Sequence, residues 1–277
     1  MLVVLLGCHG PASAQSDEND GGHWAFMSVS APAIPSPQHD GWVRTPVDAF
    51  VLSALQQVGL NPARAASRQV LLRRVYLDLL GVPPTPSEQS SFLADMQPGA
   101  WERLVTRLLA RPEYGERWAR HWLDVSRYAE SNGYERDGTK PNAWRFRDYV
   151  IGALNRDLSF EQFVHEQIAG DEMEGSTAEM QIATTFLRLG TWDDEPVDPI
   201  AYRYDQLDDV LGATTTAFLG VTLRCARCHD HKFEPFSQQD YYRVLAVFNP
   251  LKRPEKIKSA THREEHDRMV GTLEELK

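Results

Sequence analysis

Apolar residues along this chain recur at three- and four-residue spacing instead of alternating, and capping residues punctuate the runs. Thr45-Pro46-Val47-Asp48 places an N-cap, a first-turn proline and an acid at the third helical position. Val47, Val51, Ala54, Leu55 and Val58 then form one apolar stripe, closed by Gly59. Ser67 opens a second predicted helix through Leu71, Leu72, Val75, Leu79 and Leu80 to Gly81, with Pro83-Pro84 beyond it. Thr85-Pro86-Ser87-Glu88 is another capping box, and a fourth helix fits Trp101, Leu104, Val105, Leu108 and Leu109. Pro112 and Gly115 are expected to cut its continuation.

A fifth helix is predicted over Glu116 to Ala129. Trp118, Trp122, Val125 and Ala129 share one face, and His121 and Tyr128 flank that stripe with Asp124 between them. Further helices are expected over 143–156, 160–169, 178–189 and 200–219. Ser237-Gln238-Gln239-Asp240 caps a last one carrying Tyr241, Leu245 and Phe248. No alternating run is sustained and no internal repeat occurs. The predicted fold class is therefore all-α: an irregular multi-helix domain. Cys225-Ala226-Arg227-Cys228-His229 sits in its loop between the helix ending near Gly220 and the one starting near Ser237.

The punctuation divides the chain into three segments. Residues 1–44, rich in Pro, Gly, Ser and Asp from residue 9 onward, read as a clipped export signal or a linker and extended arm. Residues 45–250 form the helical domain, and 251–277 a helical tail expected to be truncated. Ala12-Ser13-Ala14 has the form of a signal cleavage site, and Leu5-Leu6-Gly7-Cys8 that of a lipobox with Cys8 acylated. Both point to an exported protein, periplasmic or at the cell surface, with membrane association through a lipid on Cys8 as one expectation. No apolar run approaches the length of a membrane span. A net charge of −10 argues against nucleic acid as a partner, because no basic excess offsets phosphate charge. Three cysteines in 277 residues are too few for a disulfide-stapled fold.

Two of those cysteines fall in one pentapeptide, and C-x-x-C-H is the attachment signature of c-type haem. Two thiols three residues apart can both form thioethers to porphyrin vinyl groups, and the next residue, His229, is placed to ligate the iron. Arg224, Arg227 and Lys232 surround the motif and could neutralise porphyrin propionates. Two plainer readings compete: a metal clip of Cys225, Cys228 and His229 or His231, and a local disulfide or free thiols in a structural turn. His121 is a candidate sixth ligand oriented by Asp124, while its competing role is a core-edge histidine. His231 is a weaker ligand candidate. Asp230 and Glu234 are expected to pair with Arg224, Arg227 or Lys232. Asp193, Asp194, Glu195 and Asp198 could hold Ca²⁺ but lack the spacing of a calcium loop, so a solvated turn is expected. The tryptophans at 101, 118, 122, 144 and 192 could stack on sugar, but their spacing favours core packing.

Longer motifs carry a resemblance. The run from Leu72-Arg73-Arg74-Val75-Tyr76 to Pro83-Pro84-Thr85-Pro86, the run Tyr114-Gly115-Glu116-Arg117-Trp118 to Leu123-Asp124, Tyr204-Asp205-Gln206-Leu207-Asp208-Asp209, and Cys225 through Phe233-Glu234-Pro235 are similar to one family. It is the domain of unknown function in planctomycete-type multidomain cytochrome c proteins, and His23-Trp24-Ala25-Phe26 resembles its usual opening. The resemblance implies an exported protein, with a companion cytochrome c module, a further C-terminal domain and polysaccharide as partners. This chain departs from that plan at both ends, so a fragment or short variant is expected. The resulting expectation is an exported c-type haem-binding domain acting in electron transfer or a haem-dependent redox step. The alternative is a non-redox surface scaffold or polysaccharide-associated binding module.

Overall fold

The structure, a computed structural model, describes residues 24–36 and 40–251. Ten α-helices and no β-strand occur among the described residues, and the sole sheet-like pairing is an isolated antiparallel bridge between Ser131 and Thr139. The fold is all-α. Cys8, the cleavage motifs and the tail after 251 lie outside the described residues. The helical stretch forms two compact units, one running to Asp124 and including Asn142–Ala183, the other made of Val125–Pro141 and the chain from Thr184.

In the first unit, α1 (Pro46–Gln57) and α3 (Pro86–Ala94) begin on capping boxes at Thr45 and Thr85, and α2 (Arg68–Leu79) on Ser67. Each cap meets one of the orphan N–H groups of a first turn, worth about 1 kcal/mol. Leu72, Tyr76 and Leu80 pack with Phe92 of α3 and with Ala100, Leu104 and Leu108 of α4 (Ala100–Leu109) into one apolar cluster. The stripe expected on α1 is not its buried face: Val47, Val51 and Val58 are exposed, and Ala49 and Leu52 are buried instead. From 47 to 55 only Asp48 and Ser53 are polar, so the pattern specified no unique face.

The fifth helix also differs from expectation. α5 runs Pro112–Val125, because Pro112 opens it and Gly115 lies inside it. Its buried face is small, with Gly115 and Ala119, and α6 (Trp144–Asn155) comes against it. A Cβ on Gly115 would stand 2.5 Å from the Ile151 carbonyl oxygen and 2.6 Å from Asn155 Nδ2. Trp118 and Val125 are exposed, and half-buried Trp122 meets the edge of Phe163 and donates to Gln167 Oε1 at 2.8 Å. Reading the face from large apolar residues missed the small ones that set the helix contact. Packing of the tryptophans is likewise less complete than expected: Trp101, Trp118 and Trp144 each remain exposed at their rims. α7 (Phe160–Ala169), capped by Ser159, and α8 (Ala178–Ala183) complete the unit.

α5 stops at Val125 because Arg127 takes a left-handed φ of 61°. That conformation costs roughly 1–3 kcal/mol in a non-glycine residue. The Arg127 guanidinium is held in the second unit by Asp209 at 3.1 Å and lies over the Phe186 ring. A 3₁₀ turn, Thr184–Arg188, leads to the acidic segment, in which Asp194, Glu195 and Asp198 are exposed and Asp193 is half-buried. Arg136 pairs with Asp194 and Glu195, Asp193 accepts the Glu195 amide, and Asp198 caps α9 (Pro199–Thr214). α9 continues into a π turn, Thr215–Leu219, and Gly220 ends it at φ 66°. A 3₁₀ helix, Leu223–Arg227, and α10 (Gln238–Phe248) follow. Leu207, Val210 and Leu211 of α9, Leu223 and Ala226 of the 3₁₀ helix, and Tyr241, Leu245 and Phe248 of α10 make the core of this unit.

Candidate functional site

The C-x-x-C-H motif occupies the 3₁₀ helix and its exit, where three residues complete a turn and residues i and i+3 eclipse. The segment therefore divides into three rows. Leu223 and Ala226 enter the core, at 4% and 0% exposure. Arg224 and Arg227 turn to carboxylates of α9. Cys225 and Cys228 form the outward row: both are exposed, and both are free thiols.

The arginines do not meet Asp230 or Glu234 as expected. Arg224 Nε and Nη2 donate to Asp208 Oδ2 at 2.9 and 2.6 Å, and Arg227 Nη2 donates to Asp205 Oδ1 at 2.9 Å. Asp208 is buried and also accepts the Tyr241 hydroxyl at 2.8 Å on its other oxygen. Burial, then that carboxylate, raises the Tyr241 pKa, and the hydrogen bond to Asp205 raises that of Arg227. Asp230 and Glu234 serve the loop instead. Asp230 Oδ1 accepts the Gln238 amide at 2.8 Å, and Glu234 Oε2 accepts from the amide and hydroxyl of Thr222 at 3.1 and 2.9 Å. From α10, Gln238 Nε2 donates to the Arg227 carbonyl at 3.1 Å, fixing the backbone between the cysteines.

The two histidines differ. His229 is exposed, with Nδ1 2.7 Å from the Asp230 carbonyl oxygen. A carbonyl only accepts, so Nδ1 carries the proton and the lone pair of the neutral ring is on Nε2. The His231 side chain is 4% exposed, and its Nδ1 accepts the amides of Phe233 and Glu234 at 3.2 and 2.8 Å. Its Nε2 therefore bears the proton, facing Thr222 Oγ1 at 3.1 Å and Glu234 Oε2 at 3.3 Å. The loop uses both nitrogens of His231, and one nitrogen of His229. Among the described residues no three His, Cys, Asp or Glu side chains converge to hold a metal ion.

The family model of a protein of unknown function (DUF1549), named PSCyt2, matches residues 46–253. The chain belongs to the PSCyt2 family. No curated protein and no solved structure gives a significant match. The PSCyt2 span takes in all ten helices and the C-x-x-C-H turn.

His121, the other candidate ligand of this PSCyt2 chain, belongs to the first unit. It is exposed on α5, its ring centroid 5.5 Å from that of Trp118, and no hydrogen bond joins it to exposed Asp124. The core-edge placement expected for it is corrected by the rotation of α5 onto its small face. Sequence reading missed Asp208, Tyr241 and Gly212 as site residues. Asp208 and Gly212 are four apart on α9, and a glycine one turn from an acid inside a helix is the signal that was available.

Proposed function

We propose that this chain is an exported c-type haem-binding domain acting in electron transfer or a haem-dependent redox step. One observation carries the reading: two free, exposed thiols one 3₁₀ turn apart, followed by a histidine whose Nε2 holds an uncommitted lone pair. That donor set fits a covalently held haem. Cys225 and Cys228 would hold it as thioethers, and His229 would ligate the iron through Nε2, with the Asp230 carbonyl orienting the ring. The haem supplies one-electron chemistry when bound. The chain's own part is to hold it, fix the tautomer of His229 and keep His231 out of competition by committing both its nitrogens. His121 stands as the candidate sixth ligand. A redox partner, a companion cytochrome or C-terminal domain, a lipid on Cys8 and polysaccharide belong to the same reading.

A second reading, a non-redox scaffold, is favoured by the closure of residues 222–236 on their own hydrogen bonds. The test separates the two. The chain is produced in a host with c-type maturation machinery, denatured, run on a gel and stained for haem, and its alkaline pyridine spectrum is recorded. Stain on the wild-type polypeptide that Cys225→Ala with Cys228→Ala abolishes is the expected result. A fully matured wild-type chain without stain would reject haem attachment and leave the scaffold.

A further inference from the structure

We propose that Asp208 is the positioning residue of the C-x-x-C-H turn: it seats the arginine row so that both thiols of the next row stay outward and in register for one two-armed ligand. This deepens the haem reading and rests on it for the identity of that ligand.

Asp205, Asp208 and Gly212 stand at i, i+3 and i+7 on one face of α9. Arg224 lies across that face. Its guanidinium reaches Asp208 through two nitrogens, and its stem crosses Gly212, where a Cβ would come within 2.0 Å of Arg224 Cδ. Arg227, one turn on, reaches Asp205 and approaches Asp208 Oδ2 at 3.6 Å. The Tyr241 hydroxyl on Oδ1 holds the carboxylate from α10. Acid, glycine and tyrosine thus form a seat shaped for the two arginines that bracket Cys225.

The consequence follows from the three-fold period of the turn. Leu223 and Ala226 are fixed by the core and Arg224 and Arg227 by the seat, so the Cys225 and Cys228 row is the one left outward. Without the carboxylate Arg224 loses both of its hydrogen bonds, and the first half of the turn is left to Leu223 and Ala226, while Arg227 keeps Asp205 and its carbonyl keeps Gln238. The chemistry that depends on register is double addition: each S–H adds across one vinyl C=C, sulfur bonding one carbon and the proton going to the other, with no oxidant required. The same register governs a trivalent arsenical. Phenylarsine oxide condenses with two thiols, forming two As–S bonds and releasing one water.

The test uses the full chain with Asp208→Asn and, separately, Gly212→Ala, which leaves the carboxylate in place but displaces the Arg224 stem. Only chains with wild-type helical dichroism and a cooperative melt are counted, and if Asp208→Asn does not fold, Gly212→Ala decides. Two quantities are read: covalent haem per folded chain after maturation, and phenylarsine oxide affinity of chain made without maturation. We expect both to fall about tenfold, the scale of losing a partner that orients a ligand. Combining Asp208→Asn with Arg224→Gln should cost less than the sum of the two single changes, because both remove the same Asp208–Arg224 contact. Unchanged affinity and full haem in the folded variants would overturn the proposal. A wild-type chain without haem, whose arsenical affinity still drops in the variants, would overturn the haem reading and keep the positioning role. No haem and unchanged arsenical affinity would overturn both.

Discussion

His229 and His231, two residues apart, are held as opposite tautomers, the first with its proton on Nδ1 and the second on Nε2. The backbone decides this: a carbonyl faces one ring and two amides face the other. Long-range ¹H–¹⁵N correlation spectra above pH 8 should show the two patterns. Replacing exposed His229 with Ala should change stability by less than about 0.5 kcal/mol. Replacing buried His231 with Ala should cost about 1–3 kcal/mol, because the amides of Phe233 and Glu234 lose their acceptor. Urea denaturation compares them, and equal effects would remove the distinction.

Tyr241→Phe deletes a single hydroxyl but leaves Asp208 Oδ1 buried without its donor. A destabilisation of about 1–3 kcal/mol is expected from the unmet acceptor, with helical content unchanged. A neutral result would mean that water replaces the hydroxyl.

Gly115→Ala should destabilise the first unit by roughly 1–3 kcal/mol, the cost of forcing a methyl into a packed contact. The new Cβ meets the Ile151 carbonyl, which cannot rotate away, and disturbs the Gly115 amide bond to Asn155 Oδ1 at 2.9 Å. Elsewhere in a helix the same change would stabilise. A gain in melting temperature would show that α5 and α6 separate at little cost.

His121→Ala removes an exposed ring tilted against Trp118 and should shift stability by less than about 0.5 kcal/mol. The same variant, matured with haem, gives a ferric spectrum. A move toward high spin would give His121 the sixth-ligand role, and an unmoved spectrum would take it away.

The Arg111 guanidinium holds Glu113 far below its ordinary 4.5, at about 2. A depressed carboxyl contributes stability above its unfolded pKa and loses it as pH falls through the folded one. The window is therefore about pH 4.5 down to 2. Both partners are about a third exposed, so salt should shrink the effect. The urea midpoints of wild type and Glu113→Gln should converge across that window. A gap independent of pH would discard the pair.

What was legible in the sequence was local. Thr45, Ser67, Thr85, Ser159 and Ser237 each cap a helix where the pattern places one, because a cap depends only on residues within one turn. The Tyr241, Leu245 and Phe248 face of α10 was equally plain. The faces of α1 and α5 were not, since one is apolar almost all round and the other packs through glycine and alanine. Within the site, the sequence shows the spacing of Cys225, Cys228 and His229, but neither the outward row of the thiols nor the partners of Arg224 and Arg227. Asp205 and Asp208 precede them by 22 and 16 residues, and which acid meets which arginine is set by helix packing.

The eclipsed row of Cys225 and Cys228 has a kinetic consequence. Their spacing is fixed by backbone that α10 already grips through the Arg227 carbonyl. Once either thiol has captured one arm of a reagent, the other arm is tethered beside the second thiol. The second bond then forms as a unimolecular closure, and its rate no longer depends on reagent concentration. A stopped-flow trace with a two-armed thiol reagent should show one concentration-dependent phase followed by one that is not. Loosening the turn should slow the second phase and leave the first untouched.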